Sequence, residues 1–313
     1  MIPIANTIKV ENLQKQFRRN VALDNLSFEL TGAGPFGIVG PDGAGKTTLM
    51  RIFAGIMAFQ GKVNVCGFRY PSESEKAKKM LGYMPQAFGL YRDLSVKENL
   101  EFYGRIFGMT SSGIKARMPE LLEFSRLAPF VNRPAAKLSG GMKQKLALSS
   151  CLMHKPDLLI LDEPGAGVDP ISRREFWQII QELVTQGIMV VVATTYMDEA
   201  EKCARVIYLY DGRIIADDTP EGLRKKYNLK VFSFKCDDLH LFRNLLEESG
   251  KFVNVNFFGD ELHASGMLNS ADVENFVDEI RKAKKCGDIN WEEIDPELED
   301  IFVHLSEEKL SGV

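Results

Sequence analysis

The segment FGIVGPDGAGKTTLM, residues 36–50, constrains the fold more than any other part of the chain. A short, almost uninterrupted apolar run passes through a glycine-rich turn into a stretch with helical periodicity, which predicts a fully buried strand leading into a helix. The runs at 157–162 and 189–195 are of the same apolar kind. Segments with helical periodicity alternate with these runs, at 45–56, 140–154 and 171–186. This alternation predicts an α/β fold with a parallel-sheet core.

The turn in the first segment carries the pattern G-x-x-x-x-G-K-[ST]. Gly43 and Gly45 let the backbone turn its N–H groups onto phosphate oxygens, and the dipole of the following helix favours the same negative charge. Lys46 would then reach the β- and γ-phosphates, and the Thr47 hydroxyl would ligate Mg²⁺. The sequence therefore predicts a P-loop site for ATP and Mg²⁺. Its predicted nucleotide-binding residues are Gly40, Pro41, Asp42, Gly43, Ala44, Gly45, Lys46, Thr47 and Thr48.

A pair of acidic residues ends the apolar run of DLLILDEP, residues 157–164. Asp162 would stand at the end of a strand beside the P-loop strand, where its carboxylate can hold Mg²⁺ through water. Glu163, one residue later, would orient or deprotonate the attacking water as the catalytic base. An acidic pair at a strand end is otherwise a helix cap or a salt-bridge partner. Its position beside a P-loop favours the catalytic interpretation.

Three parts of the chain differ in pattern from this core. The segments at 7–13 and 23–30 alternate apolar and polar residues, which predicts an N-terminal antiparallel β subdomain. Between about 94 and 150 the periodicity is helical, as in a helical subdomain inserted into the α/β body. After residue 227 the pattern follows a βαββα order with a trailing strand, which predicts a small ferredoxin-like α+β domain. The expected domains are residues 1–227 and 228–313.

Charge is unevenly distributed along the chain. Residues 228–313 contain 9 Lys and Arg against 19 Asp and Glu, whereas residues 1–227 carry a net charge of +6. A basic body suits an anionic ligand such as a nucleotide, and an acidic tail is a poor match for nucleic acid. An unevenly charged solvated surface explains the same numbers. The five cysteines form no C-x-x-C pair, which argues against a metal site or a disulfide framework.

The segment LSGGMKQ, residues 138–144, predicts a second anion site, because small residues with free backbone N–H groups open a helix there. It stands shortly before the 157–164 strand, and in this arrangement the chain resembles ATP-binding cassette (ABC) proteins from about residue 7 to 227. The resemblance implies a head-to-tail dimer that shares two ATP molecules. Residues of this signature would face the ATP held by the second cassette: Ser139, Gly140, Gly141, Met142, Lys143 and Gln144.

The same resemblance assigns roles to three further positions. Phe17 matches the aromatic residue that stacks on adenine, although a Phe at a strand end is otherwise a core residue. Gln86 matches the residue that touches Mg²⁺ and couples the site to the helical subdomain and a transmembrane partner. Asp169 matches the residue that crosses the dimer interface. Asp42 stands where Asn is commoner in the family.

Thr195 departs from the family pattern, which has a histidine at this position. In the family the imidazole contacts the γ-phosphate, and a threonine hydroxyl is shorter and cannot carry positive charge. The four histidines of the chain lie elsewhere in the sequence. Local chemistry offers a second role for Thr195, as the start of a capping box with Asp198. The two interpretations are compatible, because a capping Thr still leaves the site without its histidine.

Several stretches, such as GVDPISRREFW at 167–177, are similar to the first cassette of tandem-cassette ATPases in ABC-2 type multidrug exporters. This resemblance implies a partner cassette, in a heterodimer or alternatively a homodimer, and separate ABC-2 type transmembrane subunits. No run of eighteen apolar residues and no signal-like N-terminus is present, so we expect a peripheral protein on the cytoplasmic face of the membrane. Two alternatives remain open: a soluble ABC ATPase without a transport role, and an ATP-binding regulatory subunit with little hydrolysis.

Overall fold

The computed structural model describes residues 6–87, 89–266, 268–282 and 286–310. The chain divides into two compact units, Met1–Asp217 and Asp218–Val313. Each unit has its own apolar core.

An antiparallel sheet forms the N-terminal part of the first unit, in agreement with the alternating pattern of its sequence. Strand β1 pairs with β2 on one side and with β4 on the other, and the strand order is β2-β1-β4-β5. Val10 faces Phe28 across the β1–β2 pair, and both side chains are buried. The strands are β1 (Thr7–Phe17), β2 (Asn20–Thr31), β4 (Gln60–Val65) and β5 (Phe68–Tyr70).

A second sheet of six strands forms the centre of the first unit. It contains β3 (Pro35–Val39), β6 (Leu81–Met84), β7 (Leu158–Asp162), β8 (Met189–Thr194), β9 (Arg205–Tyr210) and β10 (Arg213–Asp218). The order is β10-β9-β3-β8-β7-β6, and the four pairs from β9 to β6 are parallel. The predicted parallel core is therefore confirmed. Val39 is in register with Thr194 and Asp162 with Ala193, so three strands end at one edge of the sheet.

Helices cover this sheet and form the insertion between β6 and β7. The helices of the first unit are α1 (Lys46–Phe53), α2 (Ser74–Ala77), α3 (Val96–Ile106), α4 (Ser111–Phe124), α5 (Gly140–Cys151), α6 (Pro170–Thr185) and α7 (Met197–Ala200). Helices α4 and α5 both pack on α3, and the three form the inserted helical subdomain. In the described residues, no helix is long and apolar enough to cross a membrane.

The second unit contains a four-stranded antiparallel sheet of order β12-β13-β11-β14. Its elements are α8 (Pro220–Tyr227), β11 (Val231–Lys235), α9 (Leu239–Glu248), β12 (Asn254–Phe258), β13 (Glu261–Ser265), α10 (Ser270–Lys282), β14 (Asn290–Ile294) and α11 (Leu298–Leu310). From β11 to β14 the elements follow the βαββαβ order, and the strand order is that of a ferredoxin-like fold. The small α+β domain is thus observed as predicted.

Helix α8 lies in the second unit rather than at the end of the first. It packs against α11, and Arg224 Nε donates a hydrogen bond to Pro296 O at 3.0 Å. The division of the chain at residues 217 and 218 therefore precedes the expected boundary at 227 and 228.

Candidate functional site

The phosphate loop joins β3 to α1 at the carboxyl edge of the central sheet. Gly40 has a φ of 154°, and a Cβ on it would lie 2.1 Å from Leu209 O. Gly45 has a φ of 105°, and a Cβ there would lie 2.5 Å from Ala22 O. Both positions therefore require glycine, since an L side chain would meet backbone atoms and a strained φ. The Ala44 N–H donates to Pro41 O at 3.2 Å, but among the described residues no hydrogen bond occupies the N–H groups of Asp42, Gly43 and Gly45, which can therefore face an anion.

Lys46 is held against the floor of this loop. Its Nζ donates to Gly40 O at 2.8 Å and to Pro41 O at 2.9 Å, and only 4% of its side chain is exposed. The loop's own carbonyl groups therefore fix the ammonium close to the place where phosphate groups would bind. Asp42 Oδ1 lies 4.0 Å from Nζ on a side chain that is almost fully exposed, so this pair contributes little.

The described structure brings Thr47 and Asp162 together, as the sequence predicts. The expectation that the Asp162 strand lies beside the P-loop strand is wrong, because β8 stands between β3 and β7. Thr47 Oγ1 donates to Asp162 Oδ1 at 3.0 Å, and the second carboxyl oxygen is buried without a hydrogen-bond partner among the described residues. Burial raises the pKa of Asp162, and the hydrogen bond from Thr47 counteracts this in part. An unpartnered buried carboxyl oxygen is costly, and a cation beside it would remove the cost.

This donor set fits the Mg²⁺ that the P-loop implies. One carboxylate and one hydroxyl leave the remaining positions to water and phosphate, which is how Mg²⁺ is usually bound in nucleotide sites. Within the described ranges, no cluster of three or more His, Cys, Asp and Glu side chains could hold a metal ion by itself. The site therefore suits a cation that arrives with a phosphorylated ligand.

Glu163 follows β7 directly and contacts two other predicted site residues. Gln86 Nε2 donates to Glu163 Oε2 at 2.7 Å, and Lys46 Nζ lies 3.6 Å from Glu163 Oε1. The backbone of Glu163 has a φ of 51°, and its N–H donates to Ala193 O at 2.9 Å. A non-glycine residue in the left-handed region indicates local strain, which recurs at functional sites. Two contacts and a fixed backbone thus aim this carboxylate at the phosphate loop.

Thr195 follows β8 at the same sheet edge, where the next element begins. The expected capping box of Thr195 with Asp198 is wrong. Helix α7 has Tyr196 as its N-cap residue and no side-chain cap, and the hydroxyl that accepts the Tyr196 N–H at 3.0 Å is that of Thr194. Asp198 instead pairs with Arg173 and Lys202. The helix begins one residue later than a cap at Thr195 requires, so the Thr195 hydroxyl does not cap it.

The signature residues lie at the start of α5, in the helical subdomain. Ser139 caps the helix, because its Oγ accepts the Met142 N–H at 3.3 Å. A Cβ on Gly141 would lie 2.4 Å from the Ser172 side chain, so this glycine lets α5 approach α6. Gly140, Lys143 and Gln144 complete the first turn and a half. In the described residues no hydrogen bond occupies the N–H groups of Gly140 and Gly141, and this helix end attracts anions.

Asp169 caps α6, where its Oδ1 accepts the Ser172 N–H at 2.9 Å. This backbone hydrogen bond lowers the pKa of Asp169. Over the described residues, no hydrogen bond or ion pair joins Ser139 or Asp169 to the phosphate loop. A single chain therefore assembles one group of predicted residues around Lys46 and leaves a second group elsewhere on its surface.

Phe17 ends β1 and is 45% exposed, so it is not a core residue. Lys15 Nζ lies 4.8 Å from its ring centroid. An exposed ring is available for stacking on a flat ligand. The remaining predicted loop residues, Ala44 and Thr48, are respectively buried and half-buried beside the phosphate loop.

Comparison with known proteins shows which family the chain resembles. The family model described as "ABC transporter" matches residues 23–166. "Probable multidrug ABC transporter ATP-binding protein YbhF" of Escherichia coli (strain K12) is 42% identical over 277 residues, which cover 86% of this chain and 46% of that protein. The chain thus spans about half the length of that relative. "Nod factor export ATP-binding protein I" of Paraburkholderia xenovorans (strain LB400) is 32% identical over 305 residues and covers 96% of each chain.

Solved structures agree with the sequence relatives. A dimeric, post-hydrolysis structure of the ATP-binding cassette MJ0796 bound to ADP and Pi has a TM-score of 0.62 and 26% identity. It covers 68% of this chain and 98% of that one. The sheet order, the phosphate loop and these similarities lead to one conclusion: the chain belongs to the ATP-binding proteins of the ABC transporter family.

Proposed function

We propose that this chain is the ATP-hydrolysing subunit of an ABC-type exporter. The observation that carries the proposal is the convergence of Lys46, Glu163 and Gln86 beside the Thr47–Asp162 pair. Side chains from three different elements meet at one sheet edge, next to a loop that only glycine can form. Such a constellation suits phosphoryl transfer, in which the protein positions groups and stabilises charge.

The chemistry follows from the contacts of each group. The Lys46 ammonium would stabilise the negative charge that develops on the β- and γ-phosphates. The Glu163 carboxylate would accept a proton from water as the water oxygen attacks the γ-phosphorus and ADP leaves. Gln86 holds that carboxylate from the side of the helical subdomain. Thr47 and Asp162 would hold Mg²⁺, which neutralises phosphate charge when it is bound.

We further propose that the competent unit is a head-to-tail dimer. The first turn of α5 and Asp169 lie apart from the phosphate loop of their own chain, and the α5 turn presents free N–H groups. They would complete the ATP site of a second cassette. Phe17 would stack on the adenine of the chain's own ATP. The similar MJ0796 structure is described as dimeric, which supports the proposal of a dimer.

Thr195 would weaken the site built on this chain's own phosphate loop. A neutral hydroxyl replaces the imidazole of the family at the end of β8, so one charged donor to the γ-phosphate is missing. The signature of this chain keeps all its residues and would serve a partner with an intact histidine. We therefore propose a heterodimer with unequal sites, docked on ABC-2 type membrane subunits at the cytoplasmic face. The multidrug and export names of the relatives support an export role.

ATP-dependent association of two copies of this chain tests the composite site without the partner, because each copy carries both a phosphate loop and a signature turn. In Glu163→Gln, slow hydrolysis should trap ATP and give a dimer by light scattering after size exclusion, while ADP should leave a monomer. The matched control adds Gly140→Asp, which stabilises the helix end as an N-terminal acid but repels the phosphate of the second chain. This double variant should bind ATP by calorimetry and remain monomeric. Equal dimerisation of both variants would refute the composite site, and absent ATP binding would refute the function.

A further inference from the structure

Glu199 is a buried acid for which the phosphate site has no direct use. It lies in α7 and is 0% exposed. Among the described residues, neither of its carboxyl oxygens has a hydrogen-bond partner. The Thr194 hydroxyl and the Trp177 indole lie nearby and partly counteract the effect of burial on the pKa of Glu199, but neither has the geometry of a hydrogen bond to it. A buried carboxyl without partners is costly, so its retention calls for an explanation.

The Glu199 carboxyl contacts the loop that follows Glu163. A Cβ on Gly165 would lie only 2.2 Å from Glu199 Oε1 and 3.2 Å from its Cδ. Gly165 has no left-handed φ, so space and not backbone conformation makes glycine necessary there. The same Cβ would lie 2.9 Å from Arg173 Cδ on α6. The carboxyl therefore fills the gap between α7 and the 163–169 loop.

This contact links two parts of the site that the sheet alone does not join. The 163–169 loop begins with Glu163 and ends with Asp169, while the chain leading into α7 carries Thr195. Arg173 adds a second link, since its guanidinium lies over the Tyr196 ring at 4.4 Å and pairs with Asp198 at 3.4 Å. A shift of α7 would therefore be transmitted to the loop.

We propose that Glu199 is a positioning residue, whose buried carboxyl sets the distance between α7 and the 163–169 loop and so aligns Glu163 and Asp169 for hydrolysis. The proposal rests on the proposed ATPase function for its effect on turnover. The effect of Glu199 on the 163–169 loop does not depend on that function, because it follows from the contact with Gly165. In the part of the chain that the structure describes, no hydrogen bond joins the Glu199 carboxyl to the phosphate loop or to Glu163, so we infer that it acts through the 163–169 loop.

Hydrogen exchange of the nucleotide-free protein tests the structural part. In Glu199→Ala, backbone amides of residues 165–169 should exchange about tenfold faster, a typical size for a lost contact. Glu199→Gln keeps the shape of the side chain and should exchange like the wild type. Glu182→Ala, which removes an exposed carboxyl from α6, is the matched control and should change nothing in this loop.

A double variant makes the test specific to the Gly165 contact. Gly165→Ala alone should loosen the loop, because its methyl group collides with the Glu199 carboxyl. In the Glu199→Ala background, adding Gly165→Ala should accelerate exchange less than it does in the wild type, because the 2.2 Å clash with Glu199 is gone and only the 2.9 Å approach to Arg173 Cδ remains. Additive effects of the two changes would overturn the proposal, as would equal acceleration throughout Met1–Asp217, which indicates general destabilisation.

Turnover completes the test. In Glu199→Ala, kcat for ATP should fall about tenfold while KM stays within about twofold, and Glu199→Gln should restore kcat. A loop that loosens without any change in kcat would overturn the catalytic part. If the wild-type chain does not hydrolyse ATP at all, the proposed function fails, but the exchange measurement still decides whether Glu199 holds the loop.

Discussion

Four ionisable side chains are buried or nearly buried around the carboxyl edge of the central sheet. Lys46 is held by two loop carbonyl groups, and Glu163 is held by Gln86. Asp162 and Glu199 each keep at least one carboxyl oxygen without a partner among the described residues. Burying charge without full pairing costs several kcal/mol in real proteins. These unpartnered carboxyl oxygens therefore lower the stability of the folded protein. Binding of Mg²⁺ with phosphate would give the Asp162 carboxyl a partner and remove part of this cost.

Glu199→Gln should stabilise the nucleotide-free protein in a pH-dependent way. Burial raises the pKa of Glu199 above 4.5, so the folded state binds this proton more tightly than the unfolded state. The resulting stability is present below pH 4.5 and is lost as pH rises through the folded pKa. The melting temperature of Glu199→Gln should therefore exceed that of the wild type by a margin that grows as pH rises above 4.5.

Differential scanning fluorimetry across this range measures the effect, with Glu182→Ala as the variant that should follow the wild type. A margin that is constant with pH, or that shrinks as pH rises, would contradict the shift of the Glu199 pKa.

Sequence alone predicts which residues meet at the site better than it predicts their bonds. The P-loop pattern places Lys46 and Thr47 at the start of α1 because strand, loop and helix follow one another without a gap. Asp162 is brought to Thr47 by β7, a strand that is distant in sequence and separated from β3 by β8. The neighbouring Thr194 and Thr195 are chemically alike, and the strand end decides which hydroxyl accepts the Tyr196 N–H. No sequence motif marks Glu199 as a buried residue, because its burial depends on Gly165 and Trp177, which are distant in sequence.

Helix α3 shows how the inserted subdomain is anchored at the level of single elements. Ser95 and Glu98 form a complete capping box: the Ser95 hydroxyl accepts the Glu98 N–H at 3.2 Å, and Glu98 Oε2 accepts the Ser95 N–H at 2.8 Å. Val96 N–H also donates to Arg133 O at 3.1 Å. The start of the helix is therefore fixed shortly after the segment that carries Gln86.

Ser95→Ala should destabilise the start of α3 by about 1 kcal/mol, because the Glu98 N–H loses its acceptor. Exchange of the amides in the first turn of α3 should become about fivefold faster, the factor that corresponds to this energy. Ser111→Ala is the control, since Ser111 is an exposed helical residue of α4 behind its cap Thr110. Similar exchange changes at both helices, or none at α3, would contradict the role of the capping box.

Whether a segment forms a strand or a helix was predictable where the spacing of its apolar residues follows a single pattern. The continuous apolar runs gave β3, β7 and β8, since polar residues are excluded from strands that are buried on both faces. Helix α7 has only four residues, too few for a periodic pattern, and its start was predicted wrongly. Local propensity cannot fix such a short helix, because its ends depend on contacts from Arg173 and Lys202.

At the scale of the whole molecule, the two units differ in the type of sheet that they contain. The first has a parallel sheet with its functional residues at one edge, and the second has an antiparallel sheet of ferredoxin-like order. The order of strands and helices in the second unit could be read from the sequence. The division at residues 217 and 218 could not, because α8 packs on α11, about seventy residues further along the chain.

The unequal-site hypothesis belongs to this scale, since it concerns the pairing of two cassettes. It rests on one position, Thr195, within an otherwise complete set of site residues. We propose that a partner cassette supplies the histidine for the second site. The expected consequence is that the chain binds ATP well and hydrolyses it slowly when it is alone.

Steady-state ATP hydrolysis by the purified chain, wild type against Thr195→His, tests this account most directly. Slow turnover is expected for the wild type and at least about a tenfold rise in kcat for Thr195→His, because one charged donor near the γ-phosphate typically contributes this much or more. Glu163→Gln sets the baseline for both. Rapid, cooperative hydrolysis by the wild-type chain alone, with no gain from Thr195→His, would contradict it.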